Sequence, residues 1–154
     1  MKICENVLLE QLEEIFDENH QNNITDKKCI NNDNFLKIVA NKNDYALGYA
    51  VIRFGNDFIE AEQLPLDMEI EGNSVYIWNC ITRKGYENQG VMSAIFKHLT
   101  QKFSDYDIYS IVDVLNPPSI QIHKKFGFAF IKEFEKTHAG KLKCFYLTKF
   151  VHIA

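Results

Sequence analysis

The chain has 154 residues, 46% of them hydrophobic, which is enough to bury one core and predicts a single domain over 1–154. With 17 basic residues against 21 acidic ones and a net charge of -4, it offers no overall basic field for nucleic acid or for an anionic membrane surface. Its amino terminus carries acidic residues where a signal peptide needs an apolar run, and no apolar stretch reaches spanning length, so a cytoplasmic protein is expected.

A short strand near KICEN opens the chain, and Leu8, Leu12, Ile15 and Phe16 then recur at helical spacing opposite Glu10, Glu13 and Glu14. That pattern predicts an amphipathic helix. After a polar stretch, FLKIVANK and YALGYAVIRF read as two strands joined by an Asn- and Asp-rich turn, a β-hairpin. The acidic segment GNDFIEAEQLPLDMEIEGNS, interrupted by Pro65, leads into VYIWNCIT, whose β-branched and aromatic residues suit a central strand. Val91, Ile95, Leu99 and Phe103 form one apolar stripe, with Ser93, Lys97, Thr100 and Gln101 polar, which predicts a second helix. DIYSIVDVL is a near-continuous apolar run, as in a strand buried on both faces, so residues 75–115 read as a strand-helix-strand crossover with parallel strands.

Asn116 is placed to cap a third helix that begins with proline and stops at Gly127, and FAFIKEF and LKCFYLTKF close the chain as a hairpin around Gly140. The predicted fold class is α/β (α+β): a mixed, mostly antiparallel sheet with a central parallel pair joined by a helix crossover, and helices on both faces. Cys4, Cys29, Cys80 and Cys144 show neither a C-x-x-C pair nor metal spacing, which favours buried reduced thiols over disulfides or a metal site.

One stretch asks for chemistry: ITRKGYENQGVMSAIFKHL, in which Gly90 stands at the mouth of the second helix. The first turn of a helix presents amides without intrahelical partners, a natural place for an anion, and glycine removes the Cβ that would hold a phosphate off. A conformational glycine is the competing reading. A triphosphate-binding loop is excluded, because Val91 and Met92 occupy the places of its Lys and Ser/Thr. A dinucleotide fingerprint is excluded too, since neither its glycines nor its position at the first strand is present.

In the register Glu87-Asn88-Gln89-Gly90-Val91-Met92, with Asn116, Ser119, Gly127 and Phe128 at matching places further on, residues 75–128 resemble the GNAT superfamily of acyl-CoA N-acyltransferases. The resemblance extends more weakly over the rest of the chain. It implies acetyl-CoA as co-substrate, with Asn88, Gln89, Gly90, Val91 and Met92 binding it, and backbone amides from Gln89 to Met92 on the pyrophosphate. The backbone at Ile81 and Thr82 would pair with the pantetheine arm, near Asn116. His123 falls where the family commonly has a tyrosine, and inherits the role of proton donor to the leaving thiolate; the competing reading takes Ile122 and Phe126 as the buried stripe of the third helix, with His123 bordering it and facing solvent. Two residues depart from the pattern: Glu87 replaces a residue that is often basic, and Met92 a small one.

The implied reaction is transfer of an acetyl or other acyl group to a primary amine of a small molecule or peptide by direct attack. No metal, nucleic acid or membrane is required, and the protein is expected to be a monomer or homodimer. The amine must lose a proton, by water relay to Glu71 or Glu69. The acidic run Glu60, Glu62, Asp67, Glu69 and Glu71 is either a solvated loop or an attractor for a cationic amine. Trp78 and Tyr76 share a strand face, as core or as acceptor lining, and His98 and His138 are expected to be solvated, with His20 and His152 lacking a recognisable partner. Two rival readings use the same fold: a non-catalytic acyl-CoA sensor, and an interaction domain with no cofactor.

Overall fold

The computed structural model describes residues 1–19, 27–55, 64, 73–138 and 140–150. Its elements follow the predicted order: β1 (Lys2–Glu5), α1 (Leu9–Glu18), a 3-10 turn (Cys29–Asn31), β2 (Leu36–Lys42), β3 (Tyr45–Phe54), β4 (Ser74–Thr82), α2 (Val91–Lys102), β5 (Asp107–Asp113), α3 (Pro117–Lys125), β6 (Phe128–His138) and β7 (Lys141–Phe150). The strands form a seven-stranded mixed sheet in the order β1-β2-β3-β4-β5-β7-β6. It is parallel at β4–β5 and antiparallel at β1–β2, β2–β3, β5–β7 and β6–β7. The chain divides into two compact units, one of Met1–Arg53 with Trp78–Lys102 and one of Phe54–Ile77 with Phe103–Ala154.

In the first unit the apolar stripe of α1 buries Leu12, Ile15 and Phe16 against Val39, Ala46, Tyr49 and Val51, with Cys29 and Ile30 of the 3-10 turn in the same cluster. Leu8, expected inside the helix, is instead its N-cap at φ 56. The β2–β3 hairpin turns at Asn43 and Asp44, both at positive φ, the geometry whose twist matches paired strands and which Asn and Asp tolerate. Its ladder passes from Ala40↔Gly48 to Asn41↔Ala46, so Leu47 is an inserted residue. That bulge flips the alternation, which lets Ala46 and Tyr49 both join the cluster around α1.

Gly48 faces the other way. A Cβ there would stand 2.7 Å from Val91 Cγ1 and 3.0 Å from Ile81 O, so glycine admits the start of α2 against the sheet. Since neighbouring strand residues point to opposite faces, α1 and α2 cover opposite faces of this unit. The buried stripe of α2 is Val91, Ile95, Phe96 and Leu99. Its far end is tied to β1 through Glu5, whose carboxylate lies 2.9 Å from both His98 Nε2 and Lys102 Nζ. Burial alone would raise the pKa of Glu5, but hydrogen bonds from His98 and Lys102 hold it lower than usual. His98, expected in solvent, is therefore half-buried in an ion-pair clip.

In the second unit the first half of β4 pairs with β5 from Ser74↔Asp107 to Ile77↔Ser110. β5 then pairs with β7 along Ile108↔Phe150 to Asp113↔Phe145. β6 is the last strand of the order, paired with β7 and bulged between Phe130 and Lys132. Val75, Tyr76, Ile77, Ile108, Tyr109, Val112, Phe128 and Leu147 are buried. Phe103 ends the stripe predicted for the second helix but lies past α2, packed edge-on against Phe54 at 5.8 Å and Tyr106 at 5.3 Å.

Candidate cofactor-binding and catalytic residues

Within the first unit, β4 ends at Thr82 and the chain turns through 83–90 into α2. Trp78 and Ile81 both pack against the cluster under α1, although residues three apart on a regular strand point to opposite faces. Ile81 and Thr82, at the end of β4, are half-buried. Trp78 stacks with Phe35 at 5.2 Å and lies 4.8 Å beneath the Arg53 guanidinium. Tyr76 is fully buried, so of the two aromatic residues only Trp78 has an exposed portion.

The loop holds itself in shape. Tyr86 N-H donates to Arg83 O at 3.1 Å, Gly85 N-H donates to the Glu87 carboxylate at 2.8 Å, and the Gln89 side-chain amide donates to Gly85 O at 3.3 Å. Glu87, the acid at an often basic place, thus spends its carboxylate on the loop's own backbone. Asn88 at φ 62 and Gly90 at φ 79 give the loop two left-handed residues just before the helix. Asn88, Gln89 and Gly90 are exposed, Met92 is half-buried and Val91 is buried. Beyond its two chain neighbours, no described residue has an atom within 4 Å of where a Gly90 Cβ would stand. The first i to i−4 bond of the helix runs from Ala94 N-H to Gly90 O at 3.0 Å, so the amides ahead of it lie outside the helical ladder. The mouth is open at its glycine and flanked by helix amides, with Glu87 bonded to the loop's own backbone.

Arg83, the first residue after β4 and by sequence a cation near enough to offset Glu87, is 4% exposed. Its Nε donates to Ala46 O at 2.6 Å, and its guanidinium lies 4.2 Å over the Tyr45 ring. Nη1 stands 3.8 Å from Glu14 and 3.6 Å from Glu18, while Nη2 is buried without a hydrogen-bond partner among the described residues. Gly48 was silent in the sequence, because a glycine inside an apolar strand reads only as a weak position until its neighbour across the fold is known.

Within the second unit, Asn116 is exposed and caps α3, its side chain accepting from Ser119 N-H at 3.2 Å. His123 is the buried residue of α3, at 1% exposure, whereas Ile122 and Phe126, expected to form its buried stripe, are half-buried. Its Nδ1 is 2.7 Å from Ser119 O, and a carbonyl only accepts, so the neutral ring carries its proton there. Nε2 is then the acceptor for the Ser110 hydroxyl at 2.9 Å. Burial pushes the His123 pKa down to about 4, against a smaller opposing pull from the Ser119 hydrogen bond. This surrounding disfavours the protonated ring, and both its nitrogens have hydrogen-bond partners inside the fold.

Burial pushes the Cys80 thiol in β4 up to about 11, and a hydrogen bond to Glu133, more than burial, pushes Cys144 up to about 11. All four cysteines are free. Among the described residues no group of three His, Cys, Asp or Glu stands at metal-binding distance, and no helix is long and apolar enough to cross a membrane. Glu60, Glu62, Asp67, Glu69, Glu71, His20 and His152 lie outside the described residues. His138 ends β6, half-buried, its ring edge-on to Phe145 at 6.3 Å.

Comparison with known proteins bears on the family and the fold. The profile of the Acetyltransferase (GNAT) family matches residues 3–128. No curated protein sequence matches. Among solved structures, Arabidopsis thaliana NAA60 in complex with a bisubstrate analogue is similar at TM-score 0.73 and 18% identity, over 96% of this chain and 97% of that one. The same protein in complex with acetyl-CoA is similar at TM-score 0.71 and 18% identity, over 97% and 100%. The ribosomal-protein-S18-alanine N-acetyltransferase of Escherichia coli is similar at TM-score 0.70 and 13% identity, over 99% and 95%. At such identities the likeness is one of fold.

Proposed function

The chain belongs to the Acetyltransferase (GNAT) family, and from that premise we propose that it is an N-acetyltransferase, moving an acetyl group from acetyl-CoA to a primary amine of a small molecule or peptide. The observation that carries this reading is the mouth of α2, where Gly90 holds φ 79 and leaves open the space a side chain would fill. Acetyl-CoA supplies an activated thioester, and the chain's own residues bind, orient and exclude. In this reading the amides of Gln89, Gly90, Val91 and Met92 hold the pyrophosphate, Asn88 sets the turn before them, the Ile81 and Thr82 backbone pairs with the pantetheine arm, and Asn116 contributes from the cap of α3. The family match spans parts of both compact units, which supports their working as one domain over 1–154. Free thiols suit a reducing compartment, and we place the protein in the cytoplasm.

Transfer is by direct attack. The thiol of Cys80 is held in its neutral form far above neutrality, so it is a poor nucleophile for an acyl-enzyme route. The amine must be neutral to attack, and water carries its proton away, with Glu69 and Glu71 as candidate acceptors. For His123 we propose a positioning role in place of proton donation: it holds the Ser110 hydroxyl and fixes α3 on β5, and water protonates the leaving thiolate.

Calorimetric titration with acetyl-CoA, followed by an assay of thiol release with a panel of amines, tests the proposal. Saturable binding with amine-dependent release supports it; absence of binding overturns it. A second reading, a non-catalytic acyl-CoA sensor, is favoured by the internally satisfied His123 ring, and binding without thiol release from any amine would select it.

A further inference from the structure

Arg83 joins three parts of the first unit that the sequence keeps far apart. Its backbone N-H donates to Leu47 O at 2.7 Å, in the bulge of β3, and its carbonyl accepts from Tyr86 N-H at 3.1 Å, which starts the loop into α2. Its guanidinium is sandwiched between the Tyr45 ring at 4.2 Å and the carboxylates of Glu14 and Glu18 on α1. Tyr45 also meets Tyr86 of the loop, at 6.0 Å between centroids. Gln11, one turn before Glu14 and two before Glu18 on α1, completes the contact by donating to Asp44 O at 2.9 Å and accepting from Ala46 N-H at 2.7 Å.

The network is anchored but not complete. Guanidinium-carboxylate hydrogen bonds are about 2.7–2.9 Å long, whereas the two carboxylates stand at 3.6 and 3.8 Å. Nη2, enclosed in the protein, makes no hydrogen bond among the described residues, and a buried charged donor left unmade is costly. At Nη1, which both carboxylates approach, closing the gap by about an ångström would make a charge-assisted hydrogen bond. The polar contact between α1 and the loop thus has room to tighten.

We propose that Arg83 is a positioning residue that couples the 83–90 loop to α1, so that filling the mouth of α2 draws Glu14 and Glu18 onto the guanidinium and orders α1. The inference rests on the cofactor-binding reading of that mouth. Its physical basis is a single rigid side chain whose root lies in the loop and whose charged end lies under the helix. An anion that fixes the loop fixes the root of Arg83, and the carboxylates of α1 are the charged acceptors that stand beside its Nη1.

Amide hydrogen exchange of the full chain, with and without CoA, separates the outcomes. In the wild type, CoA is expected to slow exchange by about threefold or more at residues 88–94 and also in α1. In Glu14→Gln/Glu18→Gln, whose substituted side chains are largely exposed, the slowing at 88–94 persists and that in α1 disappears. Arg83→Lys, which keeps the charge but loses the planar fork, behaves in the same way as long as it folds. Slowing at 88–94 alone in the wild type, or slowing of α1 that survives in the double variant, overturns the coupling and leaves the cofactor reading intact. Absence of slowing at both places overturns the cofactor reading and the coupling with it.

Discussion

At the level of single residues, two positions have demands that can be separated by substitution. Gly90 combines positive φ with open space, so a side chain there is expected to meet the bound phosphate, and Gly90→Asn, which tolerates the left-handed region, isolates that loss of space. Gly90→Val adds backbone strain of about 1–2 kcal/mol to the same obstruction, and a tenfold or greater loss of CoA affinity is expected by calorimetry. Wild-type affinity in Gly90→Val would remove the mouth from the binding site. His123 makes a different prediction, about stability. Its pKa of about 4 in the folded protein lies below its ordinary value, so between these values the unfolded chain binds the extra proton. The contribution is fully present above about pH 6.5 and is lost as the pH falls toward 4, by about 3 kcal/mol in all. In denaturant titrations the stability of wild type relative to His123→Phe should fall across that window, and a constant difference would mean that the ring is not held neutral.

The secondary-structure elements depend on close approach at one point. Gly48→Ala would place a methyl group 2.7 Å from Val91 Cγ1 and 3.0 Å from the Ile81 carbonyl, neither of which is the far end of a flexible chain. Overpacking of this kind costs roughly 1–3 kcal/mol. Its signature is rescue: Val91→Ala alone is expected to destabilise, but combined with Gly48→Ala it should recover part of the loss, a coupling that a thermodynamic cycle measures. Strict additivity would show that Gly48 is not what seats the start of α2. The substitution also displaces the first residue of the helix, so CoA affinity should fall with stability and return with it in the double variant.

For the whole molecule, the raised thiol of Cys80 predicts kinetics. Direct transfer passes through a ternary complex, so initial-rate lines at several amine concentrations should intersect, and Cys80→Ala should retain turnover within a few-fold. Parallel lines, with loss of turnover in Cys80→Ala, would identify an acyl-cysteine route. Element order and the parallel pair were legible in the sequence because they depend on local periodicity: the stripe of Leu12, Ile15 and Phe16, the apolar run 107–113, and Asn116 before two prolines. The mouth at Gly90 was legible for the same reason, as a glycine between a strand pattern and a helix pattern. The anchoring of Arg83, the packing at Gly48 and the Ser110–His123 pair were not, because they lie in contacts over long sequence separations, such as Arg83 to Ala46. His123 shows the limit most clearly, since helical spacing assigned the buried face to Ile122 and Phe126, while hydrogen bonds to Ser119 and Ser110 let a polar ring take it.

The bulge between Phe130 and Lys132 bears on how these molecules behave in a crowd. β6 ends the strand order, and a long outermost strand is a template on which another chain can polymerise. Here the template is defaced: the bulge breaks its repeat, and Lys132, Glu133, Glu135 and Lys136 follow within a few residues, four charges that another strand would have to accommodate alongside its own. The bulge and the charges blunt the strand that closes the sheet as a template for another chain.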